Sequence, residues 1–245
     1  MRSLPQGTVT FLFSDVEGST RLAEMLGDEH WAGALETHRR LVRQAVVKHG
    51  GVEIDTQGDS FFIAFPRASD AICAALDTQR AMSESAWPLD THVLLRIGIH
   101  TGEALVSDNH YVGKEVHRAS RICNAGHGGQ IVVSWTTAEL VRFRLPHGSH
   151  LDDLGEHRLK DFPQSQRLFQ LLAPNLKAQF PRLRSLNDLT NLPGERSSFV
   201  GREAELTTIR SALADHRLIT LTGIGGSVKT RLALQVAAGE LRSYP

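Results

Sequence analysis

The stretch VEIDTQGDSFFIAF, residues 52–65, constrains the fold more tightly than any other. Two runs with strand-like composition flank Gly58-Asp59, and glycine there supplies the backbone freedom of a tight turn, so strands are expected over 52–57 and 60–65. A two-stranded hairpin is not stable alone and must find further strands. TVTFLF (8–13), rich in β-branched and aromatic residues, is one candidate. The hairpin also carries Glu53, Asp55 and Asp59. On spacing alone these carboxylates fit a metal site, a substrate reader, or the polar side of an ordinary hairpin.

Around the hairpin the pattern alternates. SDVEGST (14–20) leads from the first strand into the helix-like run RLAEMLG and a longer helix, DEHWAGALETHRRLVRQAVVKHG, closed by Gly50 and Gly51. RASDAICAALDTQRAMSES (67–85) is an amphipathic helix with Ala71, Ala74, Ala75 and Thr78 at helical spacing beside Ile72 and Leu76. HVLLRIGIHTGEALV predicts a long strand pair or a bent strand, VGKEVHRASRICNAG a helix, QIVVS a strand, TTAELVRFRL a helix, and QRLFQLL (166–172) a last strand. This order gives an α+β sandwich, helices over a mostly antiparallel sheet, as one domain over residues 1–172. Residues 173–198 lose periodicity and gain Pro, Asn and Ser, the composition of a linker. Helix, strand, glycine loop and helix follow over 199–245.

Composition removes several function classes. Lys+Arg and Asp+Glu are 27 each, so no net charge draws the chain to nucleic acid or acidic lipid. The one dense basic run, HRRLVRQ (38–44), fits a solvated helix face. With no helix-turn-helix pattern, the residues argue against direct DNA binding. The N-terminal apolar run is too short for a signal peptide, and none approaches the roughly 20 residues of a membrane span. A cytoplasmic location is therefore expected. Cys73 and Cys123 read as buried thiols of a reducing compartment.

FSDVEGST places Asp15 at the end of a strand, just before the amides of Val16, Glu17, Gly18, Ser19 and Thr20 open a helix. A carboxylate beside free helix N–H groups suits Mg²⁺ or Mn²⁺ together with a polyphosphate. Asp59, at a neighbouring hairpin tip, offers a second carboxylate. Helix capping by Asp15 and a plain turn at Asp59 explain the same spacing equally well.

Four ordered segments, TVTFLFSDVEGSTRL, GDSFFIAFPRASDA, LRIGIHTGEA and YVGKEVHRASRI, resemble the successive motifs of class III nucleotide cyclases over residues 5 to about 172. The likeness is to the actinobacterial branch in which a cyclase domain precedes an NTPase domain in large transcriptional regulators. The resemblance implies conversion of ATP or GTP to a 3′,5′-cyclic nucleotide and pyrophosphate in a head-to-tail dimer. Asp15 and Asp59 stand at the positions of the metal-binding aspartates, which hold two Mg²⁺ or Mn²⁺ ions per site. Arg121 stands at the transition-state arginine supplied by the partner subunit.

Three positions depart from the family pattern. His117 replaces the asparagine expected four residues before Arg121, though both still share a helix face with Lys114 and Arg118 nearby, opposite a stripe of Val112, Val116, Ala119 and Cys123. Asp55 stands where adenylate cyclases read the purine with lysine, and His110 where the second reader is expected. An ionised aspartate cannot donate to adenine N1, but it can accept from the N1–H and amino group of guanine. Two functions are therefore carried forward: a purine nucleotide cyclase weakened by these changes, or a degenerate nucleotide-binding regulator that pairs with an intact cyclase. A zinc site among His110, His117, Cys123 and His127 lacks the usual spacing.

TGIGGSVKTRLAL (222–234) resembles a Walker A loop, and FVGREAEL (199–206) the entry motif of the related NTPases. Gly223, Lys229 and Thr230 fit, but Val228 occupies the second glycine position, where a β-branched residue resists positive φ and crowds phosphate. These residues read as a remnant P-loop fragment.

Overall fold

β1 (Thr8–Val16) shows how the layers arise from alternation. Its odd residues Val9 and Phe11 pack with Ala64, Tyr111 and Ala119 on one face of the sheet. Its even residues Leu12 and Val16 join the larger core on the other face. The structure is a computed structural model that describes residues 4–107, 110–185, 203–216, 218–222 and 229–240. These fall into two compact units divided after Leu186.

In the first unit, the expected hairpin forms as β2 (Val52–Gln57) and β3 (Ser60–Phe65), and β3 lies antiparallel against β1. On the other side of β1 runs β4 (Leu95–Glu103), followed by β7 (Ile131–Ser134), β9 (Gln166–Leu172) and β8 (His150–His157). The sheet order is β2-β3-β1-β4-β7-β9-β8, and β4 with β7 is its parallel pair. A small separate hairpin joins β5 (Leu105–Ser107) to β6 (His110–Val112). HVLLRIGIHTGEALV is thus a long strand that ends at Glu103 and then turns away. β8 escaped the sequence reading because HLDDLGEH is polar and half-exposed; a bulge between Asp153 and Gly155 fits it to β9.

Helix α1 (Ser19–Lys48) is broken at Gly27 (φ 72°, ψ 164°), the boundary between the two helical runs seen in the sequence. α2 (Ala68–Glu84) buries Ala71, Ile72, Ala74, Ala75, Leu76 and Thr78, the predicted stripe. α3 (Lys114–Ala125) covers the opposite face, and α4 (Trp135–Val141) begins where Ser134 caps it by accepting from the Thr137 amide. The α3 stripe differs from expectation: Ala119, Ile122, Cys123 and Ala125 are buried, whereas Val112 lies on β6 and is exposed. Phe11, Phe61, Ile63 and Phe65 are fully buried, each worth roughly 1.5–3 kcal/mol of transfer free energy. Cys123 is buried and Cys73 half-buried, both as free thiols.

Residues 173–185, read from composition as linker, lie on this unit. Leu183 is 2% exposed among Ile122, Ala125, Val132 and Leu168, and the Arg184 amide donates to Ala125 O (2.8 Å). Irregular backbone is held there by single contacts, backbone and side-chain, rather than by a periodic pattern, and such contacts leave no mark in composition.

In the second unit, α5 (Glu203–Asp215) and α6 (Lys229–Glu240) are the predicted helices. Of the strand expected over RLITLT (217–222), the described residues 218–222 join no sheet among the described residues. Lys229 and Thr230 open α6; Gly223 and Val228 lie outside the described residues.

Candidate active site

The end of β1 and the β2–β3 turn bring two carboxylates together. Asp59 Oδ2 accepts from the Val16 amide (3.1 Å), which ties the hairpin tip to the residue after Asp15. Asp15 Oδ1 accepts from Ser60 Oγ (2.7 Å), so the residue after Asp59 reaches Asp15 in turn. Burial first, and then the negative charge of Asp15, push the Asp59 carboxyl above its ordinary range. Like charges converge here in a half-buried site.

Part of that repulsion is offset by a residue the sequence analysis left without a role. Arg96 on β4 is the cross-strand neighbour of Asp15. Its Nε donates to Asp15 Oδ2 (3.0 Å), and Nη2 donates to the same oxygen. An opposite-charge pair at facing strand positions was the available signal, but it needs the register to be seen. Each carboxylate oxygen has two lone pairs, so Asp15 can keep Arg96 and still bind a cation. Hard oxygen donors of net negative charge fit Mg²⁺ or Mn²⁺. Among the described residues no three His, Cys, Asp or Glu side chains converge. Such a cation would draw its remaining ligands from substrate and water.

The proposed phosphate cradle is narrower than its five residues suggest. The Val16 amide is engaged by Asp59 and the Glu17 amide by Leu94 O (2.9 Å). Gly18 adopts the left-handed conformation (φ 68°, ψ 31°) as the residue before α1, leaving Gly18, Ser19 and Thr20 as the amides that open the helix. Glu17 turns away from the aspartates. Its Oε2 accepts from the Gly128 amide (3.0 Å) and its Oε1 from Arg184 Nη2. Burial alone would raise this carboxyl, but the Gly128 and Arg184 hydrogen bonds outweigh it and hold it low.

Asp55 and His110 do not join the pair. Asp55 is exposed and folds back on its own strand, accepting from the Thr56 amide (2.8 Å) and Gln57 Nε2 (2.9 Å). His110 is exposed on β6. Glu53, exposed on the polar side of the hairpin, forms a bidentate pair with Arg43 (2.8 Å to each oxygen). Arg39 donates to Gly58 O (2.7 Å). Two arginines of the basic run therefore brace the hairpin instead of facing only solvent.

His117 and Arg121 share a face of α3 as the spacing required. They line a separate cleft of about 550 Å³ with Lys114, Arg118, Asp161 and Phe162. Arg121 Nη2 pairs with Asp161 Oδ2 (2.6 Å), and Arg118 stacks on the Phe162 ring (4.6 Å). Behind α3, buried His100 bonds Ser134 Oγ through Nδ1 (2.8 Å) and Glu115 Oε2 through Nε2 (2.6 Å). The His100 bond, aided by Arg118, pulls the Glu115 carboxyl down to about 2, while burial pushes the His100 imidazole below its ordinary value.

Fold and site together define a class: an α+β sandwich that presents paired aspartates from a strand end and the adjoining hairpin. The chain belongs to the family described as adenylate and guanylate cyclase catalytic domain, which residues 1–173 match. An uncharacterised protein of Mycobacterium tuberculosis is 42% identical over 207 residues, covering 83% of this chain and 70% of that protein. The adenylate cyclase of Lachancea kluyveri is 31% identical over 155 residues, 53% of this chain but 8% of that much longer protein. An adenylate/guanylate cyclase/hydrolase structure from Silicibacter pomeroyi superimposes with a TM-score of 0.59 at 27% identity, covering 69% of this chain and 97% of that one. The fold is shared with a Trypanosoma brucei adenylate cyclase in its monomeric state (TM-score 0.65, 24% identity, 75% and 97% covered). No described helix is long and apolar enough to cross a membrane.

Proposed function

We propose that the protein is a class III purine nucleotide cyclase, converting ATP or GTP to the 3′,5′-cyclic nucleotide and pyrophosphate. The observation that carries this is the convergence of Asp15 and Asp59, locked by the Val16 amide and Ser60 hydroxyl. Two Mg²⁺ or Mn²⁺ ions at these carboxylates would supply activation of the ribose 3′-hydroxyl and charge neutralisation at the phosphates. The chain's own groups do the rest. Gly18, Ser19 and Thr20 orient the polyphosphate at the start of α1. Arg96 limits the repulsion between the aspartates before substrate arrives. In a head-to-tail dimer, the α3 cleft of one subunit brings Arg121 and His117 to the other's substrate, where they donate to the charge that develops on the α-phosphate.

Turnover is expected to be weak. Arg121 must exchange Asp161 for substrate, His117 stands where the amide of asparagine is expected, and Asp55 cannot read adenine N1. Losing one preorganised donor costs on the order of 10²- to 10³-fold in kcat. Asp55 favours GTP over ATP, because a carboxylate accepts from the guanine edge.

A second reading has its own support: Asp55 and Arg121 are both already satisfied by partners within the chain. A degenerate subunit would lend Asp15 and Asp59 to a cyclase that supplies its own readers, in a cytoplasmic regulator whose P-loop remnant no longer hydrolyses ATP. Purified protein is assayed with Mn²⁺ and either ATP or GTP, with Asp59→Ala as control. Product lost in the variant supports the cyclase. Activity restricted to a mixture with an intact cyclase supports the lending subunit, and the absence of both product and metal-dependent nucleotide binding refutes the two readings together.

A further inference from the structure

Residues 176–185 lie beyond the family-matched region, yet they reach the loop that follows Asp15. Gln170 Nε2 donates to Ala178 O (2.7 Å), starting the segment across the unit. Phe180 closes over Gly129, 3.7 Å from where a β-carbon would stand. His127 Nε2 bonds Arg182 O (2.9 Å), Leu183 enters the core, and Ser185 Oγ meets His157 Nδ1 (3.0 Å). Between these anchors Arg184 extends its guanidinium to Glu17. The other oxygen of Glu17 takes the Gly128 amide, and the approach is close: a β-carbon on Gly128 would stand 2.8 Å from Glu17 Oε2 and 2.6 Å from Leu94 Cβ. Glycine is required there by space.

We propose that residues 176–185 form a strap that positions the substrate loop, with Arg184 as its positioning residue. The strap holds the His127-Gly128-Gly129 turn from below and Glu17 from the side. Glu17 lies between Asp15 and the left-handed Gly18. Fixing its side chain fixes the peptide planes that present the Val16 amide to Asp59 and open α1. Arg184 acts through Glu17. The catalytic consequence rests on the cyclase reading, but the mechanical one does not.

The test uses the full chain in EDTA, comparing wild type, Arg184→Ala, Arg184→Lys, Glu17→Gln and the Arg184→Ala/Glu17→Gln double variant. Amide hydrogen exchange reports on three hydrogen bonds of the loop: Val16 to Asp59, Glu17 to Leu94 O and Leu22 to Gly18 O. Arg184→Ala should speed exchange of these amides roughly two- to fivefold, the scale of one half-exposed ion pair, while the amides of β4 and β7 stay unchanged. Glu17→Gln should do the same, the double variant should add nothing further, and Arg184→Lys should fall between. The side chain of Arg184 is 49% exposed, so its replacement leaves the core filled. In Mn²⁺ with nucleotide, Arg184→Ala should lower kcat more than it changes KM. Unchanged loop exchange in Arg184→Ala, or additive effects in the double variant, overturns the strap whatever the activity. Faster loop exchange in a protein with no turnover keeps the strap and rejects the cyclase reading.

Discussion

Gly98 offers a test of how α3 is seated. It sits mid-strand in β4, between Phe13 of β1 and Val132 of β7, so both its edges are locked in ladders. A β-carbon built there would stand 2.2 Å from the Cys123 amide nitrogen and 2.5 Å from its Cα, backbone atoms that no rotamer change can move. The strand cannot retreat, so in Gly98→Ala the helix must. Reaching the 3.4 Å of ordinary contact displaces α3 by about 1 Å. Overpacking of this kind costs about 3 kcal/mol, which lowers Tm by roughly 6–12 °C for a unit of this size. The same shift carries Arg121 and His117 out of place, and about 1 Å at a catalytic group costs on the order of 10²-fold in rate. Near-UV circular dichroism melts and kcat with Mn²⁺-GTP are the two assays. A variant that melts within about 2 °C of wild type, or that melts lower with kcat unchanged, would show that α3 does not rest on β4 in this way.

His38 is fully buried against Phe61 with both ring nitrogens unpartnered among the described residues, and burial pushes its imidazole down to about 4. The unfolded chain protonates this group near 6.5 and the folded one does not, so stability present above 6.5 is lost as pH falls to 4, by roughly 3 kcal/mol. His38→Leu should remove that slope in urea titrations between those values, and an unchanged slope would reject the assignment. Mn²⁺ at about 100 times its dissociation constant should stabilise the protein by about 2.7 kcal/mol. Asp59→Asn should abolish the thermal shift, and its persistence would place the metal elsewhere. The Arg121–Asp161 pair is about half-exposed, so Asp161→Asn, which keeps a side chain tolerant of the left-handed backbone there (φ 69°), should change stability by less than about 1 kcal/mol. A larger loss in urea denaturation would mean the pair holds α3 itself.

The parts of this fold that were legible are those where one strong local signal matches the tertiary demand. Gly58-Asp59 sets the hairpin, Gly27 divides α1, and the small residues of α2 mark its buried face. Asp15 and Asp59 were legible because each sits where a strand ends and a turn begins. Arg96 was not, since its role depends on the β1–β4 register rather than on its neighbours in sequence. The strap was missed for a related reason: Arg182, Leu183 and Arg184 act one by one against distant turns, and single anchors leave no period. Polar β8 is a strand only because β9 provides its ladder.

The hydroxyls behind α3 have a consequence of their own. Thr10, Thr101, Thr137 and Ser134 are joined oxygen to oxygen at 2.9–3.1 Å, and Ser134 ends on His100. Each hydroxyl in such a row can point either way, so the row alone has two directions. Glu115 removes the choice. As a carboxylate it takes the Nε2 proton; in the neutral imidazole Nδ1 is then an acceptor, so Ser134 donates to it and every hydroxyl behind must donate forward. One surface charge thereby fixes the orientation of five dipoles across β1, β4 and the start of α4. Exchanging that charge for an amide would leave every atom in place and erase the direction.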